Sequence, residues 1–439
     1  MSDCNVSGLS TNLAGFALTD SDPMADTLRA SQATSTVHLP LELWAKIFEF
    51  SAFVPGLLDI DVPDPFDTST ASTPNKPWDS NKLEGALRSL QWIVRVCKDW
   101  HALATPFLYR TVVIKRRVDI DCLQSALEAS AARAKATEEP ALGSRVRHLA
   151  VLISRSPEKV LSLTRYFPNL EILTVDSYAA SSVSGMKILT QSCGASLLKL
   201  HIHGSFYAQH YADAILPMMP QLRTLICTEP QLPLVFYRPP KLVCLNIDAT
   251  KPYDAEVTYY EPFPCVRHAV LEFPEPGWQR SLSASRPSWS KFIAFQGHLL
   301  TTLHINYASK YSRTVLTSIV RGCANLKHLI LYLPELPARF SLGSLQRVPC
   351  LAIHFEKPPG GEGRPPSALV RSLLRLDYSF PRVVRLLNAE NAQTFRATLG
   401  DEDVHSELRQ MIAAGALRLQ DPNGRLLGPE YGLLGAISW

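Results

Sequence analysis

The sequence predicts an α/β chain: a small all-α unit, then a curved solenoid built on a parallel sheet, then a helical C-terminal cap. Three observations predict it. Residues 37–51 and 83–114 carry large apolar side chains three and four apart, the spacing of one helix face. Between residues 144 and 356 the pattern apolar-x-x-apolar-x-apolar recurs nine times. Breaks rich in Pro, Asp and Gly separate these stretches, as turns and solvated loops do.

Composition narrows the class further. The chain has 439 residues, 46% of them hydrophobic, which excludes disorder along its whole length. At ~100–200 residues per domain, two or three domains are expected. The net charge of +4, from 44 Lys and Arg against 40 Asp and Glu, is too small to make nucleic acid or an anionic membrane the expected partner. No apolar run approaches the ~18 residues of a spanning helix. The start MSDCNVSGLS has neither the basic residues nor the apolar stretch of a secretory signal. Nine cysteines stand far apart with no CxxC, which reads as reduced thiols and a cytoplasmic or nuclear location.

In chain order, residues 1–35 are polar and short of large apolar side chains, hence a disordered tail. Residues 36–115 form the helical unit. Within LPLELWAKIFEFS, Leu43 and Ile47 are four apart, as are Trp44 and Phe48, and Pro40 suits a first turn. Leu83, Leu87, Leu90, Val94 and Cys97 mark a second helix. Trp100, Leu103, Ala104 and Phe107 continue the pattern, and Pro106 ends or bends it. Residues 55–81, with five prolines and five aspartates, are expected to be a disordered insertion. So few short helices with so many large apolar side chains should leave surface for another element or protein to cover. Residues 116–143 read as a helical linker.

Residues 144–380 carry the repeats. Their first positions are Val146, Leu170, Leu197, Leu222, Leu242, Val266, Leu300, Leu326 and Val348, at intervals of 24, 27, 25, 20, 24, 34, 26 and 22. All but one fall within the 20–29 residues of leucine-rich repeats. Pro168, Pro220, Pro240 and Pro264 each stand two residues before a first position. A proline there delivers the chain into a strand start, where its missing N–H is tolerated. One strand-and-return unit cannot bury its apolar side alone, so units stack. The uneven intervals imply irregular returns, and the longest implies an inserted loop with Trp278 and Trp289. The alternative is an ordinary α/β domain with leucines in buried strands. Residues 357–367 read as a second loop, and Leu373, Leu376 and Tyr378 as a candidate tenth repeat. Residues 381–439, with RVVRLLNAENAQTFRATL and VHSELRQMIAAGAL, read as a helical cap.

The sequence contains no GxSxG, P-loop or HExxH pattern. Gly360, Gly361 and Gly363 are flanked by prolines, not by a strand and a helix. His201 and His203 alternate on one strand face, but no third ligand stands at suitable spacing. The expectation is therefore a protein that is not an enzyme, with no metal and no cofactor.

LPLELWAKIFEFS followed by VCKDWHALATPFLYRTVVI resembles the F-box. Leu39-Pro40 opens its first helix, Ile47-Phe48 gives the apolar centre, and Val96-Cys97 with Trp100, Leu103 and Ala104 closes the motif. The ending FLYRTVVI is similar to the fungal-type variant that runs straight into the first solenoid strand. The 55–81 insertion departs from the family pattern. The resemblance implies a non-catalytic substrate receptor of an SCF-type ubiquitin ligase. Such a receptor docks on a Skp-type adaptor, and through it on a cullin and a RING protein, and brings a protein substrate close to the charged conjugating enzyme. It implies adaptor contacts at Leu39, Pro40, Leu43, Ile47, Phe48, Val96, Cys97 and Trp100. The alternative is a leucine-rich-repeat scaffold with no part in ubiquitylation.

Strand periodicity adds a candidate substrate surface. Pattern positions two and three point into the core, so the residues between and after them face the other, concave side. Asp176, His201, His203, Asn246, Asp248, His304, Asn306 and Tyr332 are the candidates. Their histidines suggest a ligand that is acidic or pH-sensitive.

Overall fold

The computed structural model describes residues 39–62, 64, 66, 80–152, 157–176, 183–205, 215–229, 238–248, 262–272, 288–306, 313–335, 345, 347–357, 373, 382–388, 392, 393, 395 and 406–427. The expected tail, most of the 357–367 loop, Trp278, Leu376 and Tyr378 lie outside them.

The small unit consists of α1 (Leu41–Ala52), α2 (Ser80–Ile93) and α3 (Lys98–Leu108). Pro40 is the N-cap of α1, and its carbonyl accepts the N–H groups of Leu43 and Trp44 at 3.0 and 3.2 Å. Phe48 is buried against Trp44 and Trp100, with ring centroids 5.8 and 5.1 Å away. Pro106 is held inside the last turn of α3, and the chain then enters the sheet directly.

Twelve parallel strands form one sheet in chain order. They are β1 (Thr111–Ile114), β2 (His148–Val151), β3 (Ile172–Asp176), β4 (Lys199–Ser205), β5 (Thr224–Glu229) and β6 (Cys244–Asp248), then β7 (His268–Glu272), β8 (Thr302–Asn306), β9 (His328–Glu335), β10 (Cys350–Lys357), β11 (Arg382–Leu386) and β12 (Leu417–Gln420). The architecture is α/β and solenoid-like. Parallel neighbours need a crossover return. Among the described residues, the returns hold α4 (Arg117–Thr137), α5 (Pro157–Ser162), α6 (Val183–Cys193), α7 (Ser288–Gln296), α8 (Arg313–Gly322) and α9 (Ser406–Ala413).

Register explains the sequence period. The second pattern position forms one ladder: Leu149, Leu173, Leu200, Leu225, Leu245, Ala269, Leu303, Leu329 and Leu351 pair in succession. All nine are buried, and so are the nine first positions. They share one continuous core with Leu161, Leu189, Phe292 and Leu316 from the returns. Three of the spaced prolines sit second in a tight turn: the carbonyls of Phe167, Met219 and Pro239 accept the N–H groups of Leu170, Leu222 and Leu242. Proline's fixed φ suits that position. At the starts of β3 to β9 one carbonyl of the preceding unit then accepts two successive N–H groups. Arg147, Glu171, Leu198, Arg223, Val243, Arg267 and Thr301 all do this.

Three expectations need correction. Residues 382–386, read as the start of a cap helix, form β11, with Val384 and Leu386 in the core. A short apolar run fits either period, and the open edge of β10 selects the strand. The sheet therefore continues past residue 380 to β12, and the cap contributes two strands besides α9. Trp289 lies in α7, not in a loop. That helix ends on Gln296, which is buried and tied to the previous unit: its amide nitrogen donates to the carbonyls of Phe263 and Val266 at 3.0 Å, and its oxygen accepts the Phe263 N–H at 2.8 Å.

Candidate protein-interaction surfaces

Two surfaces carry the residues singled out from the sequence. The first is the outer side of the helical unit. Leu43, Ile47 and Phe50 stand at i, i+4 and i+7 on α1, on the side away from Phe48. All three are exposed, Phe50 to 82%. Leu39, Leu41, Phe53, Trp92 and Val96 are exposed as well, Trp92 to 65%. Pro40 and Cys97 are also exposed. So many large apolar side chains exposed on one small unit mark an interaction surface more often than isolated ones do. Cys97 has a local role too, as the N-cap of α3, where its Sγ accepts the Trp100 N–H at 3.5 Å.

Two residues expected on this surface belong elsewhere. Phe48 is buried at 1% exposure and is the centre of the small unit. Trp100 is half-buried and packs on Trp44 at 4.6 Å and on Phe48 at 5.1 Å. Sequence reasoning missed Leu41, Phe50, Phe53 and Trp92. For Phe50 the signal was present, in the i+3 spacing from Ile47.

The second surface is the sheet face opposite the core. Of the five candidates whose side chains are described, four are not accessible. His201, Asn246, His304 and Tyr332 are buried, and Asn306 is half-buried. The side chains of Asp176, His203 and Asp248 lie outside the described residues. Asn246 donates to Glu272 at 2.6 Å. The His304 ring stacks on His268 at 4.5 Å and on Tyr332 at 6.1 Å. Burial holds His304 well below its ordinary pKa and His268 at about 4. Both are therefore neutral near pH 7, and His304 offers no charge there to an acidic ligand.

The chain itself lies on this face. Residues following α1, expected to be the start of a disordered insertion, run from β1 to β11. Val54 and Leu57 pack with Leu83 and against Val113 of β1. The Lys199 ammonium donates to the Asp59 carbonyl at 2.8 Å, and Arg223 pairs with Asp61 at 2.6 Å. Val62 is buried with Ile226, Cys244 and Val270. Asp64 accepts from Thr302 at 3.1 Å, from the Phe66 N–H at 2.9 Å and from His328 at 2.5 Å. Phe66 packs on Ile330, Tyr332, Ala352 and Leu387, with the Arg385 guanidinium 5.0 Å from its ring.

Composition misleads here because it does not include the partners that the sheet supplies to Asp61 and Asp64. Burial alone would raise the Asp64 pKa; the hydrogen bonds from His328 and Phe66 reverse this and hold it at about 2. Burial alone would lower the His328 pKa; the bond to Asp64 reverses this and lifts it to about 9. The two form an ion pair at neutral pH. The remainder of the 55–81 stretch, residues 63, 65 and 67–79, lies outside the described residues.

Among the described residues, no three His, Cys, Asp or Glu side chains gather to hold a metal, and no helix is long and apolar enough to cross a membrane. No protein-family model matches this chain, and no curated protein does either.

Proposed function

We propose that this chain is a non-catalytic substrate receptor of an SCF-type ubiquitin ligase. Its F-box-like helical unit docks on a Skp-type adaptor, and its leucine-rich-repeat-like solenoid carries the protein substrate. The observation that supports this reading most directly is the exposed apolar stripe of Leu43, Ile47 and Phe50, with Trp92 and Val96. A lone domain gains nothing from leaving such residues in water. Burying one large apolar side chain at an interface is worth roughly 1.5–3 kcal/mol, so a few of them make a stable adaptor joint. The stripe falls within the segment whose sequence resembles the adaptor-binding motif. Ubiquitin transfer is then carried out by the conjugating enzyme, and this chain contributes proximity.

The test is capture of purified adaptor by the tagged full-length chain. Wild type is expected to form a stoichiometric complex. Leu43→Asp with Phe50→Asp is expected to lower recovery at least thirtyfold while the melting temperature stays within about 2 °C, because both side chains already face solvent. Equal recovery by wild type and variant would rule out adaptor docking at this surface.

A further inference from the structure

The segment following α1 binds the sheet as an extended peptide ligand binds a groove. Among the described residues it forms no regular ladder with the strands. Its side chains take turns: Asp61 meets Arg223, Val62 enters an apolar pocket, Asp64 meets Thr302 and His328, and Phe66 lies on an aromatic and aliphatic shelf. The contacts are spread over β5 to β11, with Arg223 standing just before β5 and His328 of β9 meeting both Asp64 and Phe66, so the sheet meets the segment side chain by side chain along its length. Charges are matched where acidic side chains land, and apolar surface where apolar ones do. Main-chain capture helps at one end, where Lys199 donates to the Asp59 carbonyl.

We propose that this sheet face is a receptor groove for an extended acidic and apolar peptide, and that Asp59, Asp61, Val62, Asp64 and Phe66 are its resident occupants in cis. This deepens the receptor reading and rests on it for the word substrate. A protein substrate would present the same alternation: two acidic side chains three apart, an apolar one between them and an aromatic one two residues beyond. It would enter by displacing the resident segment. Tethering gives that segment a high effective concentration, so the groove stays closed to weak or mismatched partners.

The probe is a labelled peptide with the sequence of residues 57–68, LLDIDVPDPFDT, followed by fluorescence anisotropy on the full-length chain. The double variant Asp64→Asn, Phe66→Ala weakens the resident segment and leaves the groove intact. It is expected to bind the peptide at least tenfold more tightly than wild type. Adding Arg223→Ala and His328→Ala on the groove side is expected to abolish that gain, and a scrambled peptide is expected not to bind. Equal binding to wild type and double variant, or no binding to either, overturns the proposal. Hydrogen exchange on wild type decides independently of variant folding. Asp61 and Val62 amides that exchange at least a hundredfold faster than the Leu245 amide support displacement; exchange as slow as Leu245 makes the segment a fixed part of the fold and overturns it. Neither readout involves adaptor, so loss of the adaptor reading would leave this result standing, and the converse holds.

Discussion

The two faces of the one sheet are built by different rules. On the core face the same residue type recurs at the same place in each unit: Leu149, Leu173, Leu200 and their successors form a single ladder. Cohesion there is spread over many equivalent contacts between neighbours, as stacked repeats require. On the opposite face, among the described residues, the residue type changes from strand to strand. Lys199, Arg223, Thr302, His328 and Arg385 meet the overlying segment by different means, His328 touching both Asp64 and the Phe66 ring. Repetition builds the scaffold, and departures from repetition hold the overlying segment.

Four substitutions sharpen or break that contrast. Leu303→Ala, at a fully buried rung, is expected to cost about 2–5 kcal/mol in denaturant unfolding. A smaller loss than at an exposed position would mean the ladder is not the seat of stability. Gln296→Ala strips partners from buried main-chain groups of Phe263 and Val266 and is expected to cost about 2–3 kcal/mol.

Asp64→Asn touches the non-repeating face alone. It is expected to cost about 1–2 kcal/mol and to return His328 from about 9 toward its ordinary 6.5, followed by NMR titration. In wild type the pair has a pH window. The raised His328 contributes fully below 6.5 and is lost as pH rises through about 9; the lowered Asp64 contributes above 3.8 and is lost as pH falls through about 2. His268 of β7 and Cys350 of β10 also face this pair. The segment is therefore expected to be held best between about pH 4 and 6.5. A flat profile of segment exchange across pH 6–10 would remove the ion pair as its anchor. The smallest effect is expected for Phe50→Ser, within about 0.5 kcal/mol, since its ring already meets water; a large loss would place that ring in the unit's own packing.

The contrast also explains what could be read in advance. All nine repeat units were legible, because each strand faces a neighbour of the same pattern and periodicity states the register. Ala269, the weakest match by side chain, was fixed by its place between Leu245 and Leu303. The helical unit was legible, but the direction of its wide apolar face was not: Phe48 points inward and Phe50 outward, two residues apart on one helix. β11 was misread because RVVRL alternates too briefly to separate strand from helix. The overlying segment was not legible at all. Asp59 and Asp64 find partners 140 to 264 residues away in the chain, and no local pattern announces a contact of that span.

The carbonyl shared at the head of each strand from β3 to β9 has a practical corollary. Because successive units are pinned at one peptide group, the returns can lengthen without sliding one strand past the next. The 34-residue interval before Leu300 already demonstrates it: β7 and β8 stay in step, Ala269 opposite Leu303, despite the extra chain between them. Reporter tags or purification handles grafted into that return should therefore leave every rung aligned, making it the natural place to instrument this molecule.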